Sequence, residues 1–254
     1  MNLEPQSFST RDKLILAGLY LSKYDTAGVR RLGFGGFKEA CNVVGYALGS
    51  KPASVKNYRD EFDPLFPNPR QGWHKRPRRA YCLNFFEQYK DLDFETFTAL
   101  IKSFVGCDES ALSEIIPKDK TGDSASLFAN RLMTGLAAEQ YFESVQPSLP
   151  EFKGFARENT TRLGCGYDYR LCGGGIQDFL AVEVKGLRAR VGSVALTPKE
   201  HDVAGILSER FFLFVVKNFQ ESPFHEIYQN PLCGPLAFAK TERVLVQVSW
   251  STSV

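Results

Sequence analysis

The sequence predicts a mixed α and β protein (fold class α/β, or α+β), with a helical N-terminal part and a C-terminal part of alternating helices and strands. Apolar residues recur at helical spacing through much of residues 11–105, whereas residues 178–186 alternate with period two and residues 210–219 are apolar on both faces. With 254 residues, 43% of them hydrophobic and 24% charged, the chain can bury one or two cores. This composition excludes disordered, collagen-like and coiled-coil proteins.

The sequence lacks the motifs of membrane spans, signal peptides, zinc sites and disulfide frameworks. No stretch approaches the roughly 18 apolar residues that a membrane helix needs. Residues 1–13 lack the basic-then-apolar layout of a signal peptide, so we expect a cytoplasmic protein with no membrane partner. The 6 cysteines form no C-x2-C pair and there are only 3 histidines, so we expect neither zinc nor a disulfide framework.

Four helical segments are predicted in the N-terminal part. Residues 11–24 and 36–48 have the apolar spacing of core-facing helices. A third helix runs over residues 54–62, with Ser54 as its N-cap, and an aromatic-rich helix covers residues 81–105. The first three segments together predict a helix-turn-helix.

The helix over residues 54–62 is the candidate DNA-recognition helix. In a helix-turn-helix the last helix presents its polar face to the major groove, where Asn and Arg can each contact a purine edge through two hydrogen bonds. An ordinary helical hairpin is the alternative interpretation. On the first interpretation the DNA-binding residues of this helix are Ser54, Lys56, Asn57, Tyr58 and Arg59.

A basic loop follows this helix at residues 70–79, with the sequence RQGWHKRPRR. Residues 1–105 hold 16 basic and 11 acidic residues, whereas the rest of the chain holds 15 and 18. Basic side chains bind the DNA backbone because each neutralised phosphate releases counterions. A solvated loop is the alternative. The residues expected at the DNA backbone are Arg70, Trp73, His74, Lys75, Arg76, Arg78 and Arg79.

The character of the chain changes after residue 105. Residues 106–126 are polar and include Pro117, as is typical of a join between domains. We therefore expect a helical DNA-recognition domain over residues 1–110, a linker over 111–126 and a second domain over 127–254.

The second domain is predicted to run in the order helix, three strands, helix, strand, with one further strand. Thr197 and Glu200 form a capping box around Pro198, which fixes the start of the second helix. Capping alone explains both residues. The alternative is that this helix start contacts DNA phosphate. The glycine run at 173–175 is a hairpin turn with no nucleotide-binding role, because no helix follows it. The predicted helices cover residues 127–144 and 198–209, and the predicted strands cover 162–171, 178–186, 190–196, 210–219 and 241–250, the last at a sheet edge.

A set of charged residues on the predicted hairpin is the candidate chemical site. Glu183 and Lys185 share one face of their strand because strand side chains alternate. Asp168 lies on the partner strand, and two converging carboxylates suit Mg²⁺, which prefers oxygen ligands. Lys185 can orient a water or stabilise developing charge, and Glu139 on the preceding helix can approach the same site. A cross-strand ion pair on an exposed face is the alternative.

The segments GYDYRL, FLAVEVKG, LTPKEHDVA and FFLFVVKNF, with the NP of QNPLCG, resemble the PD-(D/E)xK nuclease superfamily. Within it they are similar to the Mrr-like branch at the C-terminus of NO VEIN-type proteins, over about residues 130–235. The resemblance implies an α-β-β-β-α-β restriction-endonuclease-like core with a mixed sheet. It implies a metal site of Asp168, Glu183 and Val184, a catalytic Lys185 and a participating Glu139. The proline of the superfamily's name is replaced by Tyr167.

The function implied is a Mg²⁺-dependent, sequence-specific endonuclease of type II restriction kind that cleaves double-stranded DNA with a metal-activated water. The segment SVKNYRDEFDP also resembles regions attached to restriction-type nucleases and related prokaryotic defence proteins. We expect Mn²⁺ to substitute for Mg²⁺, and a homodimer because cutting both strands needs two sites. Arg188 and Arg190 are expected at the DNA backbone or have ordinary surface roles. A modification-dependent or structure-directed nuclease and a non-catalytic DNA-binding regulator on a nuclease-like scaffold are the alternatives.

Overall fold

A computed structural model of the chain describes residues 8–105, 123–173, 178–242 and 252. The described part is a mixed α and β structure, as predicted. Its helices are α1 (Thr10–Arg31), α2 (Phe37–Ala47), α3 (Pro52–Phe62), α4 (Ala80–Tyr89), α5 (Phe94–Ser103), α6 (Asp123–Val145) and α7 (Pro198–Leu207). Its strands are β1 (Phe155–Asn159), β2 (Tyr169–Gly173), β3 (Phe179–Gly186), β4 (Phe211–Lys217) and β5 (Phe224–Gln229).

Three of the predicted N-terminal helices differ from the structure at their ends. Helix α3 begins at Pro52 with Lys51 as N-cap, so the prediction of Ser54 as N-cap is wrong; proline favours the first position of a helix because it has no N–H to satisfy. Helix α1 continues past a kink at Asp25 to Arg31. The segment predicted as one helix over 81–105 is two helices, because Asp93 accepts hydrogen bonds from two backbone amides and starts α5.

The strands form one mixed sheet in the order β1-β2-β3-β4-β5. Strands β3 and β4 are parallel, with Glu183 opposite Leu213, and the other neighbours are antiparallel. The predicted antiparallel pairing of β2 and β3 is confirmed, whereas residues 174 and 175 of the predicted glycine turn lie outside the described residues. Strand β4 is an inner strand whose residues 211–216 are all buried. Helix α7 begins with the predicted capping box of Thr197 and Glu200.

One predicted strand is wrong, another begins too early, and two observed strands, β1 and β5, were not predicted. The predicted segment 162–171 starts inside a 3₁₀ turn over Thr161–Leu163, and the strand begins only at Tyr169. Residues 190–196 form no strand, since Val191 is 83% exposed and the chain has left the sheet after Gly186. Strand β1 completes the order α-β-β-β-α-β in place of the wrongly predicted third strand.

The hydrophobic core is continuous between the helices and the sheet. Helix α2 packs against α6, and α6 packs against β3 and β4 with Phe142 against Phe214. A smaller cluster, which includes Ala181, Ala204 and Phe211, lies under α7 on the other face of the sheet. Among the described helices, none combines the length and hydropathy needed to cross a bilayer. Most of the expected linker, and residues 243–250 of the last predicted strand, lie outside the described residues. The division into domains stays a prediction.

Two glycines allow close approach of neighbouring elements. A Cβ at Gly18 of α1 would lie 2.5 Å from Tyr58 Cβ of α3. A Cβ at Gly186, the last residue of β3, would lie 2.7 Å from the carbonyl oxygen of Thr134 in α6. Because these distances are shorter than van der Waals contact, a side chain at Gly186 would push α6 away from the end of β3.

Replacing Gly186 with alanine should lower the free energy of unfolding by about 1–3 kcal/mol, because the added methyl group meets backbone that cannot rotate away. The matched control is Gly135→Ala in α6, where a Cβ has no neighbour within 4 Å. Alanine there should be neutral or stabilising by up to about 1 kcal/mol, since it is the better helix former. Urea denaturation of both variants measures the difference. Equal stability of the two would contradict the close packing of α6 on β3.

Candidate active site

Asp168 lies directly before β2 and is held against β3. Its backbone N–H donates to Val182 O at 3.0 Å, and Val184 N–H donates to its Oδ2 at 2.9 Å. Burial raises the pKa of Asp168, and the Val184 hydrogen bond offsets part of this rise. The structure therefore fixes one carboxylate oxygen of Asp168 on the backbone of β3.

Glu183 and Lys185 project from the same face of β3, as the period of two predicts. Glu183 is only 3% exposed, and Lys185 Nζ lies 2.5 Å from its Oε1. Burial, and then the charge of Asp168, raise the pKa of Glu183 to about 8. Asp168 accepts from the backbone N–H of Val184, the residue after Glu183, so both acids lie along the same stretch of β3.

Lys185 has a second acidic partner that the sequence analysis missed. Its Nζ donates to Oε2 of Glu200 at 2.8 Å. Burial alone would lower the pKa of Lys185, but Glu183 and then Glu200 outweigh it and raise the pKa. Burial alone would raise the pKa of Glu200, but Lys185 and the backbone N–H of Thr197 lower it. The capping box was the one sequence signal that places Glu200 at a fixed position after β3.

Glu139 approaches this set from α6. Burial raises its pKa to about 7, with further contributions from the charges of Asp168 and Glu143. Glu143, one turn later on the same helix, accepts a hydrogen bond from Tyr169 Oη at 3.0 Å. The structure thus holds Asp168 on β3, places Lys185 between Glu183 and Glu200, and puts Glu139 on the helix that packs against this strand.

Val184 contributes backbone atoms to the site, because its side chain is buried in the core. In a strand, the N–H and C=O of one residue point to the same edge. Since Val184 N–H points at Asp168, its carbonyl oxygen lies on that edge as well. The oxygens that face this edge are carboxylate and carbonyl oxygens, the ligands that hard divalent cations prefer.

The fit of a divalent cation depends on charge as well as on donor type. Lys185 contacts two acids, Glu183 and Glu200, and Asp168 is held on the same strand, so ionisation of all three acids leaves an excess of negative charge. Within the described ranges, no three His, Cys, Asp or Glu side chains are grouped closely enough to hold a metal ion by themselves. Mg²⁺ commonly takes one or two carboxylates and keeps several waters, so the residues present fit such an ion.

The residues predicted to contact DNA fall into three groups: exposed residues, arginines held by acids, and half-buried residues. The first group is exposed at the surface. Lys56 is exposed although it pairs with Asp60 at 2.6 Å, and Arg76 lies 3.4 Å from the centre of the Trp73 ring. Trp73 N–H donates to Asp60 O at 2.7 Å, which ties the basic loop to the end of α3. The exposed members of the predicted set are Lys56, Asn57, His74, Lys75, Arg76 and Arg190.

The second group has structural partners. Arg59, predicted to face outward, is 9% exposed and pairs with Asp60 at 2.6 Å. Arg70 forms two hydrogen bonds of 2.9 Å with the buried Asp63. The prediction that Arg59 projects into solvent is therefore wrong, because carboxylates of the same helix and the turn after it hold the guanidinium group.

Arg79 and Arg188 also hold buried acids. Arg79 donates from Nε to Glu61, which is 1% exposed, at 2.7 Å. Arg188 donates from Nη2 to Glu39 of α2 at 2.9 Å, which joins the segment after β3 to the N-terminal helices. The remaining members of the predicted set, Ser54, Tyr58, Trp73 and Arg78, are half-buried.

Part of the chain matches a known protein family. A family model described as "Protein NO VEIN, C-terminal" matches residues 138–229, a segment that runs from α6 to β5 and includes all five residues of the site. This part of the chain is therefore similar to the family that its motifs predict. No curated protein and no solved structure matches the chain.

Ionisation of Glu139 should make stability depend on pH. An acid whose pKa is raised by folding binds its proton more tightly in the folded state, so stability falls as pH rises from its ordinary pKa of 4.5 to about 7. Relative to Glu139→Gln, the wild-type chain should lose up to about 2 kcal/mol over this range.

Urea denaturation of both proteins between about pH 4 and about pH 8 measures this difference. The control is Glu221→Gln, a change of the same type at an exposed residue, which should keep the pH dependence of the wild type. A constant difference between wild type and Glu139→Gln at all pH values would contradict the burial of this carboxyl group.

Proposed function

We propose that the chain is a Mg²⁺-dependent endodeoxyribonuclease of the PD-(D/E)xK superfamily that cleaves double-stranded DNA at specific sequences, as type II restriction enzymes do. The observation that carries the proposal is the position of Asp168, Glu183 and Lys185 at the C-terminal half of the inner strand β3, where Val184 N–H holds Asp168 and Lys185 contacts Glu183. The match to the NO VEIN C-terminal family, whose character is nuclease-like, supports it because the matched residues include this site. The order α-β-β-β-α-β supports it as well.

Each residue of the site has a role that its position supports. Asp168 and Glu183, with the carbonyl group of Val184, would hold the cation, and Glu139 would accept hydrogen bonds from waters around it. The cation, when bound, supplies positive charge to the phosphate and makes water a better nucleophile. Lys185 would hold the attacking water in line with the phosphorus and stabilise the charge that develops on the phosphate oxygens. Its fixed position between two acids favours this role, since alignment of the reacting groups lowers the barrier.

The DNA-binding surface is assigned to the exposed basic residues of the N-terminal part. Lys75 and Arg76, on the loop tied to α3, are available to phosphates, whereas Arg59, Arg70 and Arg79 are held by acids. A helix-turn-helix formed by α2 and α3 would then present Lys56 and Asn57 to the bases. A homodimer is part of the proposal, because cleavage of both strands at a symmetric sequence needs two active sites.

Replacement of Lys185 by alanine should reduce DNA cleavage at least about 100-fold while DNA binding is retained, because the lysine acts on charge that develops during the reaction. The assay incubates unmodified and methylated phage DNA with the protein, with Mg²⁺ or with EDTA, and separates fragments by size. The wild type is expected to give discrete DNA fragments in the presence of Mg²⁺ and none in EDTA. The control is Lys199→Ala, an exposed lysine at the start of α7, which should cleave as the wild type does.

The outcomes of this assay separate the candidate functions. Unchanged cleavage by Lys185→Ala would contradict the assignment of the site. Cleavage of methylated DNA only would indicate a modification-dependent nuclease. DNA binding with no cleavage of either DNA by the wild type would overturn the proposal in favour of a DNA-binding regulator.

Removal of the two exposed basic side chains in Lys75→Ala/Arg76→Ala should weaken binding of duplex DNA without loss of stability. The slope of log affinity against log salt concentration should fall by about 2, one for each phosphate contact. Fluorescence anisotropy with a labelled duplex at several salt concentrations measures this slope. The control pair Lys153→Ala/Arg162→Ala removes the same charges from exposed positions near β1 and should leave the slope unchanged. Equal slopes for both pairs would contradict the role of the basic loop.

A further inference from the structure

Glu200 uses a single oxygen for two contacts. Its Oε2 accepts a hydrogen bond from Thr197 N–H at 3.0 Å and another from Lys185 Nζ at 2.8 Å. The first contact completes the capping box of α7, and the second contributes nothing to capping. The capping box at the start of α1, formed by Ser9 and Asp12, has the same two reciprocal bonds and provides a comparison within the same chain.

The two acids that contact Lys185, Glu183 and Glu200, differ in their other proposed contacts. Under the proposed function Glu183 binds a divalent cation, and Lys185 Nζ already lies 2.5 Å from its Oε1. The ammonium group and the cation therefore compete for the same carboxylate and repel each other. Lys185 is 22% exposed in its side chain, so loss of Glu183 without another partner would leave a charge largely buried and uncompensated.

We propose, on the basis of the proposed function, that Glu200 is the positioning residue for Lys185. It retains the ammonium group at the site when Glu183 turns to the cation, and it thereby reduces the competition of Lys185 for that cation. The position of Glu200 is suited to this role because Pro198 and the capping box fix the start of α7. A lysine side chain alone, with four flexible carbons, has no such fixed position.

The variant Glu200→Gln tests this role with little change to the helix, since glutamine also completes a capping box. Mn²⁺ is titrated into the protein in the absence of DNA and binding is followed by calorimetry. We expect Glu200→Gln to bind Mn²⁺ about 10- to 100-fold more weakly than the wild type, the range found when a residue that orients metal ligands is removed. DNA cleavage at saturating Mn²⁺ should fall in the same variant.

A double-mutant cycle shows whether the effect passes through Lys185. In the background of Lys185→Met, which removes the competing charge, Glu200→Gln should change Mn²⁺ affinity by less than about twofold. Two variants control for capping. Thr197→Ala should lower the melting temperature but keep the charge beside Lys185, so its Mn²⁺ affinity should fall far less. Asp12→Asn, in the capping box of α1, should leave Mn²⁺ affinity unchanged.

Equal Mn²⁺ affinity of Glu200→Gln and wild type would overturn the role of Glu200. The role would also be overturned if Glu200→Gln lowered Mn²⁺ affinity equally in the wild-type and the Lys185→Met backgrounds. Because Mn²⁺ binding is measured without DNA, a wild-type protein that binds Mn²⁺ but cleaves no DNA would overturn the nuclease function while the cycle still decides the role of Glu200. Cleavage by the wild type with additive effects in the cycle would overturn the role of Glu200 alone. A wild-type protein that binds no Mn²⁺ would overturn both.

Discussion

Burial of several carboxylates around one lysine is the constraint on which the site depends. Glu183 is withdrawn from water on the inner strand β3, and Asp168 lies beside it because a backbone amide of that strand holds it. Such a group of acids is unfavourable without compensating positive charge. Two helices hold this group of charged residues in place. Helix α6 packs closely on the end of β3 because Gly186 has no side chain, and α7 starts at a capping box whose Glu200 also contacts Lys185.

Most of the site could be predicted from the sequence because it depends on local patterns. Strand alternation places Glu183 and Lys185 on one face, the antiparallel pairing of β2 with β3 brings Asp168 to the same strand, and the capping box locates the start of α7. The inner strand β4 was evident from its uninterrupted apolar run. The same patterns do not show that Glu200 contacts Lys185, because that contact depends on how α7 packs across the sheet, which no spacing along the chain determines.

The errors of prediction have physical reasons of the same kind. Strand β1 has the sequence FAREN and lies at the sheet edge, and its sequence shows no alternation of apolar and polar residues that would mark a strand. Residues 190–196 have strand-forming composition but leave the sheet. Among the basic residues, composition does not distinguish an arginine that faces solvent from one that neutralises a buried acid, and Arg59, beside Asp63, and Arg79, beside Glu61, belong to the second kind. The burial of Asp63 and Glu61 settles their role.

The hydrogen bonds between α2 and the segments after β3 and β4 limit which N-terminal helices could replace those of this chain. Glu39 accepts from Arg188, just after β3, and Asn42 Nδ2 donates to the backbone of Phe219 and Glu221, just after β4. These contacts join the helices proposed to recognise DNA to the strands of the proposed nuclease site. The contacting side chains of α2 are buried. A hybrid protein with foreign N-terminal helices would therefore have to carry a carboxylate and an amide at these two positions, or leave polar atoms unpaired beneath the graft.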